Sequence, residues 1–322
     1  MYGALHIYVI DNASELTREE LTDYPENIRL FHNPNTGGSG GFSRGMQEVR
    51  KAYETGIRYT NVVLMDDDAY VHPESLYRLH ALLSLQKEEY ISSVIAGRMF
   101  RLDQRTIQYT AAEVWNKGDL RHVGYLNDMT RPECLERINE PFLCRSDLLP
   151  EDPSAFERQP AEYSGWWFAC FPYEFVKSND PLPFFLHCDD VEYGLRHGGI
   201  PIILNGIQVW HETADARTSA IVSYYDMRNS LIVNDLYGCM NAQEKLCFWK
   251  RCISSAHANG DYAGEYARIQ GFRDYQKWTR NGFLRDVAKH HHEVEKKLRR
   301  AGNVWKNRIA WRIEAGKYKV FC

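Results

Sequence analysis

Three places in the chain hold residues that could do chemistry together. The first is the run Asp66-Asp67-Asp68, which ends the apolar stretch Val62-Val63-Leu64-Met65. Three carboxylates in a row do not stay ionised side by side without a cation nearby. Residues two apart on an extended chain point the same way, so Asp66 and Asp68 could face one divalent ion while Asp67 turns to other partners. The triplet fits equally well a solvated strand-to-helix turn, with Asp68 near the cap of a helix opened by Pro73. The second place is Asp189-Asp190, ahead of Val191, Tyr193 and Leu195 at helical spacing. One of these acids could cap that helix, and both are not needed for that role. The third is His211, which follows the strand-like run at 202–210 and precedes Glu212. A histidine at a strand end ordinarily makes only a hydrogen bond, but beside a further acidic group it is also a ligand candidate. Imidazole suits manganese better than magnesium.

The elements that must carry these groups follow from periodicity. Residues 5–10 form a strand whose polar tip is Asp11-Asn12, and residues 28–31 form a second. The glycine-rich run at 32–41 lacks the Lys-Ser/Thr of a phosphate loop, and Ser43 stands where a dinucleotide fingerprint needs its third glycine. After it, Phe42, Met46, Val49 and Tyr53 recur at helical spacing. The run is thus either a loop whose helix amides face an anion or nucleoside, or a flexible turn. Residues 62–65 read as a strand buried on both faces, and 76–86 as another helix. This alternation predicts a parallel sheet with helices on its faces.

Further along, 95–115 reads as strands around an irregular link and 116–159 as mostly loop. Adjacent Trp166 and Trp167 on a strand would face opposite sides, one inward and one toward a ligand, although such pairs are more often core. From residue 223 the pattern is helical. His290, His291 and His292 diverge around a helix and read as surface. The tail from 277 to 319 is rich in Lys and Arg, with Trp305, Ile309, Trp311 and Ile313 interleaved. Such a stretch suits either an anionic membrane face or a solvated helix.

Composition narrows the setting. The 322 residues are 44% hydrophobic, enough for a substantial core, and the net charge of −4 argues against generic nucleic-acid binding. Eight scattered cysteines form no CxxC pair, which predicts that most are buried thiols in a reducing compartment. Without a membrane-length apolar stretch or a signal-peptide pattern, the expected location is cytoplasmic, with peripheral contact on the inner face of the cell membrane through the basic tail.

Taken in order, several blocks resemble the family-two glycosyltransferases of the GT-A fold, and among them the bacterial galactofuranosyltransferases that polymerise galactan. These are Asn35 to Arg44, Leu64 to Asp68, Gly97 to Phe100, Tyr163 to Trp167, Leu182 to Arg196, Val209 to His211 and Tyr225 to Asn229. The resemblance implies an α/β fold, a mostly parallel sheet flanked by helices, with a transferase domain over 1–240 and a helical, basic region over 241–322. It implies that Asp66, Asp68 and His211 hold Mn2+ or Mg2+, with Asp66 nearer the ribose. Asp11, Asn12, Asn35, Gly37, Gly38 and Asp67 would line the nucleotide site. Trp166, Trp167 and Glu113 would hold the acceptor sugar. Asp190 matches the catalytic base, with Asp189 beside it on the acceptor.

The implied activity is inverting, metal-dependent transfer from a UDP-sugar, foremost UDP-galactofuranose, to a glycan or lipid-linked acceptor in cell-surface polysaccharide synthesis. Two alternatives are another donor, such as a rhamnosyl nucleotide, and a truncated, non-catalytic glycan-binding protein. The family's first strand, with its nucleotide-gripping tip, would precede residue 5, where only four residues stand. The extra N-terminal β-domain of the large polymerising members is also missing from these 322 residues, so the expectation is transfer of one or a few sugars.

Overall fold

A computed structural model describes residues 5–17, 20, 26–139, 162–213, 219–281 and 286–301. The end of the basic tail from residue 302, with Trp305 to Ile313 and Cys322, and Cys144 lie outside them. The first strands, β1 (Ile7–Asp11) and β2 (Ile28–His32), pair in parallel, with Asp11 opposite His32. Helix α1 (Gly37–Glu54) then packs against β1. It starts at Gly37, so the glycine run is not a loop before the helix but its first turns. Glycine is a poor helix former, and close approach explains its use here: a Cβ at Gly41 would sit 2.7 Å from Asn12 Nδ2.

The central sheet runs β3 (Asn61–Leu64), β10 (Ala169–Pro172), β5 (Ile95–Arg101), β11 (Ile202–His211) and β4 (Tyr70–Val71), with β6 (Ile107–Thr110) and β9 (Asn127–Asp128) extending from β5. It is mixed. The parallel pairing expected from alternation holds for β1–β2 and β5–β11, whereas β10 runs antiparallel to both β3 and β5. Strands β7 (Glu113–Asn116) and β8 (Asp119–His122) form a hairpin, β7 at the end of the stretch expected to hold strands and β8 inside the stretch expected to be loop. Its two-residue turn, Lys117-Gly118, has both φ values positive, the geometry that matches strand twist.

Helix α2 (Pro73–Leu85) has Pro73 in its first turn and is capped by His72, whose side chain accepts from the Glu74 amide. The cap expected near Asp68 is therefore supplied elsewhere. Helices α3 (Pro132–Asn139), α4 (Tyr173–Val176) and α5 (Asp189–His197) follow. Helices α6 (Ala220–Leu236), α7 (Ala242–Ala258), α8 (Tyr262–Asn281) and α9 (Val287–Ala301) complete the chain's described part. Their core joins Met227, Leu231, Trp249 and Phe272 to Val191 of α5 and Trp115 of β7. The helical layer is thus fastened to the elements bearing the acidic residues. His290 and His291 are not free on the surface: they bond the hydroxyls of Tyr224 and Tyr225, and only His292 is exposed.

Candidate active site

Strand β3 delivers the acidic triplet, and the Asp66 amide donates to Trp166 O at 3.0 Å, which ties that tip to the tryptophan turn. Strand β4 follows at once and pairs antiparallel with β11, Tyr70 opposite Trp210. The next residue on β11 is His211, and pairing therefore brings it back to the triplet. His211 Nε2 lies 2.8 Å from Asp68 Oδ1 and 3.8 Å from Asp66 Oδ2. One ligand atom from each of the three lies within 4.8 Å of the others. Asp67 is exposed and outside this group.

The donor set fits a divalent cation. Nδ1 of His211 lies 2.6 Å from Glu212 O, and donation there leaves the Nε2 lone pair turned to the carboxylates. Burial, opposed by His211 but reinforced by Asp68 and Asp67, pushes the Asp66 carboxyl up to about 6. A bound cation would relieve this unmet negative charge. Carboxylate oxygens with one imidazole suit manganese well and also admit magnesium.

The second acidic pair opens α5. Its capping position is Cys188, in a left-handed conformation at φ 64° and with no side-chain cap, so neither aspartate is the cap. Asp189 is buried, whereas Asp190 is partly open and accepts the Val191 amide at 2.7 Å. Both carboxyls are pushed upward, chiefly by burial; Asp189 and Glu113 add to the shift of Asp190, and Asp66 adds to both. The two acidic sites, more than a hundred positions apart in sequence, therefore share one electrostatic environment.

The first turn of α1 adjoins the same place. A Cβ on Gly38 would stand 3.7 Å from Asp189 Oδ2, and one on Gly37 would stand 1.9 Å from Phe185 O. Asn35 Oδ1 accepts the Gly37 amide, and Asn12 Nδ2 donates to Gly37 O. Asn12, Asn35, Gly37 and Gly38 are thus gathered at one helix end. Asp11 is not available in the same way. Its two oxygens accept amides of Ala13, Ser14 and Leu16, which holds its carboxyl below the usual range and commits it to its own loop.

Glu113 on β7 is buried, accepting from the Tyr163 hydroxyl at 2.5 Å with His122 Nδ1 at 2.8 Å. Trp166 and Trp167 sit in a turn, not a strand, yet they do part to opposite sides of the sheet. Trp166 packs with Phe42, Met46 and Tyr193, only 4% exposed, so it offers no open stacking face. Its indole N–H has no acceptor among the described residues. Trp167 donates to Gly97 O at 2.8 Å and packs toward Leu79 and Val209.

Sequence reasoning overlooked the pair His187–Asp226, 2.5 Å apart beside the acidic pair. Its signal lay in the block Tyr225 to Asn229, which matched a pattern but had no role. The partners of Glu113 were overlooked too, since nothing local links residues 113, 122 and 163.

Comparison with known proteins agrees with this geometry. Residues 1–135 match the family described as glycosyl transferase family 2. The galactofuranosyltransferase GlfT2 of Mycolicibacterium smegmatis is 29% identical over 223 residues, covering 66% of this chain and 32% of that protein. The galactofuranosyltransferase GlfT2 of Mycobacterium tuberculosis is 29% identical over 217 residues, covering 64% of this chain and 31% of that protein. The match thus spans about a third of the length of these relatives. Over residues 1–135, which include the Asp66 to Asp68 triplet, the chain matches the glycosyl transferase family 2 model, and over about two thirds of its length it resembles the galactofuranosyltransferases.

Proposed function

We propose that this protein is an inverting glycosyltransferase that moves galactofuranose from UDP-galactofuranose to a hydroxyl of a glycan or lipid-linked acceptor in cell-surface polysaccharide synthesis. The observation that carries this reading is the approach of His211 to Asp66 and Asp68, in electrostatic contact with Asp189 and Asp190. A divalent cation held by Asp66, Asp68 and His211, manganese or magnesium, supplies charge neutralisation for the diphosphate leaving group. Asn12, Asn35, Gly37 and Gly38 line the nucleotide end of the cleft.

Asp190 accepts the proton of the acceptor hydroxyl as its oxygen bonds the anomeric carbon, while the bond from that carbon to the diphosphate breaks and UDP departs. Its raised affinity for a proton suits a base that must capture one during attack. Attack from the face opposite the diphosphate inverts the anomeric centre. Asp189 holds the acceptor, and Glu113, whose oxygens face Tyr163 and His122, acts on Asp190 through its charge. No described helix is long and apolar enough to cross a membrane. We assign peripheral contact with an anionic membrane to the basic C-terminal region, of which Lys296, Lys297, Arg299 and Arg300 on α9 are part.

The test is incubation with UDP-galactofuranose, manganese and a galactoside acceptor, following release of UDP and the sugar product. Asp190→Asn is expected to retain nucleotide binding and lose transfer, and Asp68→Ala to lose metal-dependent nucleotide binding. Equal loss of binding in both variants would make Asp190 a structural residue. Transfer from a rhamnosyl nucleotide, with none from UDP-galactofuranose, would overturn the donor.

A further inference from the structure

The segment ahead of the acidic pair is held in an improbable shape. Phe185, His187 and Cys188 all have φ between 62° and 73°, a region that costs a side-chain-bearing residue energy and persists only when neighbours enforce it. The enforcing groups can be named. Asn229, fully buried in α6, donates through its amide nitrogen to Leu186 O at 2.7 Å and His187 O at 2.9 Å. Arg228 donates to Phe184 O at 2.6 Å and, through Nε, to Asn229 Oδ1 at 2.8 Å. The Phe185 amide donates to Ser39 Oγ of α1 at 2.8 Å.

The Phe185 ring lies parallel to Tyr225 of α6 and, at 3.8 Å between centroids, to His291 of α9. His291 Nδ1 in turn bonds the Tyr225 hydroxyl at 3.0 Å. Three helices therefore converge on five residues that touch no reacting atom themselves. Cys188 ends the segment as the capping residue of α5, so its geometry fixes where Asp189 and Asp190 begin.

We infer that Asn229, oriented by Arg228, is the positioning residue for the acidic pair, and that His291 of the C-terminal helix α9 completes the clamp by stacking on Phe185. The helical region thereby takes part in the chemistry without lining the cleft. This inference rests on the proposed role of Asp190, because the clamp matters for rate only if that carboxylate must meet the acceptor hydroxyl. Misplacing a reacting group by about 1 Å costs on the order of 100-fold in rate.

The experiment compares Asn229→Asp, which keeps the shape but loses the amide donors, with the pair His291→Ala and His291→Phe. Three readouts are needed: kcat and acceptor KM for UDP-galactofuranose transfer, manganese titration, and amide hydrogen exchange over residues 184–190. Asn229→Asp is expected to lower kcat by about 100-fold, leave manganese binding unchanged, and speed exchange in 184–190 but not in 61–68. His291→Ala is expected to lower kcat by about tenfold, and His291→Phe, which keeps a ring over Phe185, to restore most of it. Wild-type kcat and exchange in Asn229→Asp would overturn the inference, as would identical behaviour of the two His291 variants. If Asn229→Asp does not fold, the His291 pair decides. If the wild-type protein transfers nothing, the proposed reaction fails, and the exchange comparison still decides whether the clamp exists.

Discussion

Replacing Asp66 with asparagine separates the stability of the fold from the strength of its cation site, because the two respond in opposite directions. The Asp66 carboxyl is pushed from an ordinary 3.8 up to about 6. Each unit corresponds to about 1.4 kcal/mol, which gives an upper bound of about 3 kcal/mol for the cost of keeping the folded carboxylate ionised. The side chain is 38% exposed, so solvent screening reduces this to about 1 kcal/mol. Since the folded value lies above the unfolded one, the penalty is present in full above about pH 6 and gone below about pH 4.

In chelator at about pH 8, Asp66→Asn is expected to melt higher than the wild-type protein, by about 2 °C. Added manganese reverses the order: at a hundred times its dissociation constant a bound ion adds about 2.7 kcal/mol to the wild-type protein, and the variant gains little. The assay is a pair of thermal melts, with chelator and with manganese, at about pH 5 and about pH 8. A variant less stable than wild type in chelator at the higher pH, or one stabilised by manganese to the same extent, would refute the reasoning.

Other outcomes follow from the same geometry. The activity of Asp190 as a base requires its ionised form, so kcat/KM is expected to climb with pH through a raised acidic limb; Glu113→Gln removes one of the charges that raises it and moves the limb to lower pH, by about one unit or less. A pH–rate profile of the two proteins checks this. Gly37→Ala places a methyl group 1.9 Å from Phe185 O at a backbone φ of 75°, and denaturant unfolding is expected to show a loss of about 3 kcal/mol. Trp167→Phe removes the hydrogen bond to Gly97 O, at an expected cost of about 1 kcal/mol measured the same way.

Much of the site could be read before any coordinates, because its signals are local. An apolar run that stops at three aspartates, a strand that stops at His211, and an acidic pair at a helix start are all statements about neighbours in sequence. Strand β11 ends where periodicity put it, and α1 carries its apolar stripe as spacing required. The misjudged details have a common cause. Whether a glycine belongs to a loop or a helix turn depends on what presses against it, as Asn12 and Phe185 do here. Trp166 reads as a candidate platform until Phe42 and Tyr193 are seen to enclose it, and Asp11 as part of the nucleotide site until three amides claim its oxygens. His290 and His291 look like surface until α9 packs on Tyr224 and Tyr225.

What the sequence determined by itself was the chemical inventory and the ends of elements at which it stands, since side-chain type and hydrophobic period are properties of short windows. What the tertiary structure decided was which ends meet. The pairing of β4 with β11 brings His211 to Asp68, and the buried amide of Asn229 bends the chain into the acidic pair. Both depend on strand register and on side-chain hydrogen bonds across more than forty positions, and those are fixed by the packing of the whole molecule.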